Sequence, residues 1–243
     1  LIFLYLPATD EIGHQFGPDS AKYRETVIHA DKQIGRVCNV LENNGLLSKT
    51  YLVLLSDHGM TACQADTYLP LYQNLQKAFP RQWTHTGPGP SSHINNRIRH
   101  FSRYDAIYCQ GGDRRAAVYL KGRTWADLPD LLDVQALARQ VLQFQAIALV
   151  AYRGSGANQI FVQNTRGLAR VERQENLPCT PLNNKQYRYL VIDGNDPLAY
   201  TDGLRSLNVL NGDFHSGDLW LQTTADSRFP DLPVQIVELF DSR

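Results

Sequence analysis

The chain has 243 residues, 43% of them hydrophobic, and its 24 basic and 24 acidic side chains balance to zero net charge. That is enough apolar material for one large α/β domain or two small ones, and the balance offers no basic footprint for nucleic acid or an anionic membrane. No apolar run approaches the roughly 20 residues of a membrane span, and Cys38, Cys63, Cys109 and Cys179 show no CxxC spacing, which argues against a thiolate zinc site and for buried, unpaired thiols.

Residues 1–6, LIFLYL, read as a buried strand that opens the chain without an initiator Met or a polar leader. The far end, VQIVELFDSR, stops on an apolar alternation with no cap or tail. Both ends suggest a piece of a longer protein. Residues 7–20 are rich in Pro, Gly and Asp and predict a loop. Over 21–41, Tyr23, Val27, Ala30, Ile34, Val37, Cys38 and Leu41 recur at helical spacing. Asp19 or Ser20 can cap that helix and Asn43-Asn44-Gly45 can end it. The apolar run 51–56 then predicts a second strand. Strand, helix and strand in that order predict a βαβ crossover, hence a parallel sheet covered on both faces.

Further on, 68–79 predicts a helix and the Gly/Pro-rich stretch THTGPGPSSHINNR a loop. Residues 116–121 predict a strand, 133–144 a helix and 146–152 a strand. Residues 158–173 predict a hairpin turning at Asn164-Thr165-Arg166-Gly167, and 187–192 and 219–223 further strands. The chain reads as one α/β domain over 1–243, with a mostly parallel sheet, helices on both faces and a β-rich second half.

Chemistry concentrates where the two early strands end. Asp10 and His14 follow the first, and Asp57 and His58 close the second in YLVLLSDHGM. Ligands of an open parallel sheet bind beyond the carboxyl ends of its strands, so the two pairs should share one rim. Asp and His together suit zinc, manganese or iron, and four such groups could anchor two ions able to clamp both oxygens of a phosphoryl displacement. Taken singly, each has a plainer role: Asp10 as a turn residue, His14 as an exposed histidine, Asp57 as a helix cap, Gly59 as a positive-φ position. The coincidence of two pairs at two parallel strand ends favours the metal. His29, His85, His93 and His100 read as structural or exposed. Arg114 and Arg115 in GGDRRAAVYL could meet a phosphate but read as solvated, and Ser91 and Ser92 have no adjacent base to activate them.

The run from Thr9 to Met60 resembles the metal-binding core of the alkaline phosphatase superfamily, and within it the type I phosphodiesterase/nucleotide pyrophosphatase group. The matching features are an Asp-x-x-x-His-x-x-Gly-Pro motif, then a helix with an internal Asp, then a strand ending in Ser-Asp-His-Gly-Met. The resemblance implies a three-layer sandwich and a hydrolase of phosphate esters, with a small-molecule phosphate ester as substrate. It also implies two divalent ions, zinc or alternatively manganese. Asp10 and His14 would ligate one ion, Asp57 and His58 the other, and Phe16, Gly17 and Pro18 would shape the loop holding His14. The nucleophile, a Thr or Ser, is expected upstream of Leu1. The remaining histidine of the first site is expected beyond Arg243, with His215 the weaker candidate. An isomerase of the cofactor-independent phosphoglycerate mutase type, or a non-catalytic fragment of the same fold, is the alternative. The compartment is left open.

Overall fold

The computed structural model describes residues 2–62, 69–86, 101–111, 114–156, 158–175, 185–201 and 209–241. The chain divides into two compact units, Leu1–Tyr68 and Leu69–Arg243. His93, His100, Ser91, Ser92, Cys63, Cys179 and most of the Gly/Pro-rich loop lie outside the described residues.

In the first unit, helix α1 spans Ala8–Phe16, where the sequence predicted a loop. Its turn-forming residues sit at the helix ends. Pro7 precedes α1, Asp10 and Glu11 lie in the first turn where the helix dipole favours them, and Gly17 at φ 83 stops it. Helix α2, Ala21–Asn43, is capped by Ser20, whose Oγ accepts from the Tyr23 amide at 3.1 Å. It ends at Asn44, whose side chain donates to the Val40 carbonyl at 2.8 Å, and Gly45 follows at φ 65. Tyr23, Thr26, Ala30, Ile34, Val37 and Leu41 form its half-buried stripe, while Glu25, Lys32 and Arg36 are exposed. Val27, expected on that stripe, is exposed.

The predicted strands at 1–6 and 51–56 are not formed. Residues 2–6 and 50–56 carry no regular structure, apart from the bend at Asp57 that follows, and Tyr51 is 99% exposed. An apolar run becomes a strand only when another strand satisfies its backbone groups, and both sheets of the described chain lie in the second unit. The βαβ crossover is therefore absent among the described residues.

The second unit holds two sheets. In the first, β1 (Trp83–Thr86) pairs in parallel with β2 (Ala106–Gln110), and β2 pairs antiparallel with β3 (Ala116–Leu120). Helices α3 (Leu71–Ala78) and α4 (Leu131–Val141) contribute Leu75, Leu137 and Val141 to a core with Trp83, Ala106 and Tyr108. In the second sheet, β4 (Val150–Arg153), β5 (Gln159–Gln163), β6 (Gly167–Glu175), β7 (Lys185–Gly194) and β8 (His215–Ser216) run antiparallel in sequence order. Asn164 turns the β5–β6 hairpin as expected, its Oδ1 accepting from the amides of Arg166 at 2.8 Å and Gly167 at 3.2 Å.

Helices α5 (Gly217–Thr224) and α6 (Leu232–Asp241) are part of the same unit. Trp220 and Val237, one from each helix, enter the core built with Val162, Val171, Tyr187, Tyr189, Leu198 and Tyr200. The sequence predicted a strand at 219–223. Ser216 instead caps a helix by accepting from the Leu219 amide, and Trp220 and Thr224, one turn apart, form its buried stripe. A short apolar run fits either period, and here the cap decides. The mixed α/β composition is as expected. The predominantly parallel sheet is not observed: among the described strands only β1 and β2 pair in parallel. The second-half strands that hairpins connect run antiparallel, because hairpin connections permit nothing else.

Candidate functional site

Helix α1 carries Asp10 and His14 four residues apart, hence on one face. The segment ending in Ser56-Asp57-His58-Gly59-Met60 approaches that same face. His14 Nε2 lies 3.5 Å from Asp10 Oδ1, and His58 Nε2 lies 3.8 Å from Asp10 Oδ1 and 3.8 Å from Asp57 Oδ2. The four residues singled out from sequence are thus linked in the first unit: Asp10 Oδ1 faces both imidazoles, and Asp57 Oδ2 faces that of His58.

Local hydrogen bonds set the second pair. His58 Nδ1 lies 3.0 Å from the Gly59 carbonyl oxygen. A carbonyl only accepts, so Nδ1 carries the proton, and in the neutral ring Nε2 is left with its lone pair. The His58 amide donates to Asp57 Oδ1 at 3.1 Å, and the Ser56 hydroxyl donates to the His58 carbonyl. In the neutral ring, Asp57 Oδ2 and Asp10 Oδ1 therefore both face the Nε2 lone pair of His58.

Asp10 Oδ1 is shut off from solvent, and among the described residues it accepts no hydrogen bond. Its histidine neighbours stand beyond the 2.7–3.2 Å of an ordinary N–H···O bond. The Asp10 side chain is 44% exposed as a whole, so shielding this one oxygen carries a modest cost, which a cation beside it would offset. The separations are also close to the roughly 3.3 Å between two ligands of a tetrahedral ion with bonds of about 2.0 Å. A His Nδ1 donating to a backbone carbonyl is the usual support for a ligating Nε2. In chemical type and pairwise spacing the residues fit a divalent ion. Among the described residues they do not close a set of three or more His, Cys, Asp or Glu around one point.

The other candidates lie elsewhere. His215 begins β8 in the second unit, its Nε2 3.0 Å from Asn211 Oδ1. His29 pairs with Gln33 on α2 at 3.1 Å, and His85 packs edge-on against Tyr72. Arg115 folds back on its own turn, donating from Nε to the Gly111 carbonyl at 2.9 Å. Cys38 and Cys109 are half-buried. Two residues that shape the site went unread in the sequence. Gly13 is the buried residue of α1, and Met60 packs on it. The available signals were a glycine interrupting a helical segment and the chain's single methionine placed directly after Asp-His-Gly.

Comparison with known proteins places these motifs. The human ectonucleotide pyrophosphatase/phosphodiesterase family member 5 is 35% identical over 74 residues, 30% of this chain and 16% of that protein. The human family member 7 is 38% identical over 61 residues, 25% of this chain and 13% of that protein. Venom phosphodiesterase 2 of Crotalus adamanteus is 29% identical over 133 residues, 53% of this chain and 16% of that protein. The chain thus spans about one sixth or less of the length of these curated relatives. No solved structure matches it. The family described as type I phosphodiesterase / nucleotide pyrophosphatase matches residues 1–127, a stretch that takes in all four clustered residues and more than half of the chain. The chain belongs to the type I phosphodiesterase/nucleotide pyrophosphatase family.

Proposed function

We propose that this chain is part of the catalytic core of a metal-dependent phosphodiesterase acting on small phosphate esters of the nucleotide type. The observation that carries this reading is the desolvated, donor-less Asp10 Oδ1 facing the Nε2 atoms of His14 and His58. Asp10 and His14 would hold one divalent ion, zinc or manganese, and Asp57 and His58 a second, with further ligands from groups beyond these four. Bound ions would supply positive charge against the charge that develops on phosphorus-bound oxygens.

The chain's own residues hold and orient. Asp10 brings its carboxylate to both imidazoles. The bond between His58 Nδ1 and the Gly59 carbonyl fixes the tautomer and ring direction, and the Asp57–His58 turn presents both side chains together. None of the four is assigned a proton-transfer step. The names of the relatives support a phosphodiester as the bond cleaved, and the nucleophile is proposed to be a hydroxyl outside these residues.

The family match runs through the boundary between the two compact units, which supports reading both as parts of one domain. We also infer that residues 2–6 and 51–55, apolar and exposed here, are strands of a parallel sheet in the complete fold, as in a three-layer sandwich.

The test is metal content and turnover of a nitrophenyl phosphodiester by the protein as encoded, wild type against Asp10→Asn. The variant keeps size but removes the shared charge. It should lower zinc affinity at least 100-fold, about 2.7 kcal/mol, and abolish turnover, while the melting temperature hardly moves. Retained zinc stoichiometry and activity in Asp10→Asn would remove Asp10 from the site.

A further inference from the structure

The geometry points to Gly13 and Met60 as a docking contact that positions Asp57 and His58 against α1. This rests on the metal-site reading above and adds two residues that ligate nothing. Gly13 lies three residues after Asp10, hence on the same side of α1, and directly precedes His14. It has no backbone need to be glycine, since it sits within regular helix and is absent from the positive-φ positions. Glycine is a poor helix former, so its presence there calls for a steric reason.

Met60 supplies that reason. A methyl group at Gly13 would overlap the Met60 sulfur, come within 2.8 Å of the Met60 methyl carbon and lie 3.1 Å from Tyr23 Cε2. Real Cβ atoms do not approach that closely, so something would have to shift. The thioether thus lies directly on the helix backbone. Met60 is two residues beyond His58, and residues 50–56 contribute no strand that could fix the segment. The seating of Met60 on bare helix backbone is what sets the height of Asp57 and His58 above Asp10. A side chain at position 13 must displace the end of the Met60 side chain, and on this proposal the short segment carrying His58 moves with it.

The test uses the protein as encoded with zinc alone as the probe, titrated by calorimetry, with thermal melting of the zinc-free protein alongside. Gly13→Ala should weaken zinc binding at least tenfold while the zinc-free melting temperature stays level or rises, because alanine favours helix. Met60→Ala should weaken binding by a smaller factor, since the seat remains but nothing fills it. The double variant Gly13→Ala/Met60→Ala should bind more tightly than Gly13→Ala alone, the new methyl occupying space the thioether has left. A purely structural role would show as lowered melting with no such recovery, and would overturn the proposal. So would a Gly13→Ala variant that binds zinc like the wild type. If Gly13→Ala fails to fold, Met60→Ala decides: unchanged zinc affinity there removes Met60 from any positioning role. A wild type that binds no zinc would fail the metal reading itself, which distinguishes that failure from this one.

Discussion

The two compact units are built on opposite terms. The second buries Trp220, Tyr200 and Tyr189 at 0–2% exposure around two sheets, and its buried carboxylate Asp196 accepts from the amides of Leu198 at 2.9 Å and Thr201 at 3.0 Å and from the Tyr189 hydroxyl. The first has no buried residue along the whole of α2, and it leaves Phe3 at 85% and Leu55 at 84% exposure. Yet the first carries all four clustered Asp and His residues. In the second unit the polar groups just named have their partners, and Asp231 Oδ1 there, like Asp10 Oδ1 in the first, is shielded with no hydrogen bond among the described residues; what sets Asp10 apart is the pair of imidazoles that faces it. Satisfied burial stabilises a fold, whereas an orphaned acceptor among metal-ligating side chains leaves room for a ligand to supply the missing interaction.

On that contrast, the largest single loss of stability should come from the second unit. Trp220 is fully buried, donates from Nε1 to the Tyr187 carbonyl at 2.9 Å, and packs against Tyr189 and Tyr200 at ring separations of 6.4 and 6.3 Å. Trp220→Ala should cost about 3–5 kcal/mol, read by urea unfolding followed by circular dichroism. A loss below about 1 kcal/mol would mean that this core does not stabilise the unit in proportion to its burial.

A smaller effect tests the polar edge of the same unit. Glu238 accepts from Lys185 Nζ at 2.8 Å, the Tyr187 hydroxyl at 2.9 Å and Arg173 at 3.4 Å. Burial alone would raise its pKa, but the hydrogen bonds from Lys185 and Tyr187 and the two cations overcome that and hold it below the ordinary glutamate value of 4.5. A carboxylate whose pKa is lowered on folding contributes stability above its unfolded pKa, and that contribution is lost as pH falls through the folded value. Its side chain is 38% exposed, so solvent screening keeps the gain small. Glu238→Gln should cost about 1 kcal/mol at pH 7. The gap to wild type should close as pH drops below about 4, and a gap that persists at pH 3 would assign the effect to shape rather than charge.

The same contrast explains what could be read from the sequence. Ser20, Asn44 and the Asn164 turn act locally, through side-chain bonds to nearby backbone, and their residue types announced them. Asp10, His14, Asp57 and His58 were legible from type and spacing, although their meeting point was derived from a parallel sheet that the described chain does not contain. What brings them together is α1, hidden because its Pro and Gly punctuate the ends of a helix rather than a loop, and the Gly13–Met60 contact, which joins residues 47 positions apart. The strand β2, the helix α6 and the helical state of 217–224 depend on tertiary packing, where a short apolar run carries no period of its own. Cap chemistry at Ser216 was the available clue.

The smallest effect separates the chain as it stands from the complete fold proposed for it. Ile34 lies on the half-buried stripe of α2, and Lys32 is exposed beside it. A fully buried aliphatic truncated to alanine costs about 2–5 kcal/mol, but here part of the Ile34 side chain already meets solvent, and alanine gains a few tenths of a kcal/mol in helix propensity over isoleucine. In this 243-residue chain Ile34→Ala should therefore cost only about 0.5 kcal/mol, close to the ±0.5 kcal/mol expected of Lys32→Ala. Amide hydrogen exchange along α2 measures both directly. If residues 2–6 and 51–55 do pair into a sheet beneath α2 in the protein as encoded, Ile34 becomes a core residue there. Its truncation should then cost several-fold more than in the 243-residue chain, while Lys32→Ala stays near zero in both. An Ile34→Ala cost that is equally small in both would mean that α2 is not a sheet-covering helix, and the parallel-sheet proposal would go with it. The four-residue cluster would survive that outcome, because it depends on α1 and the Asp57–Met60 segment and not on the face that α2 turns toward a sheet.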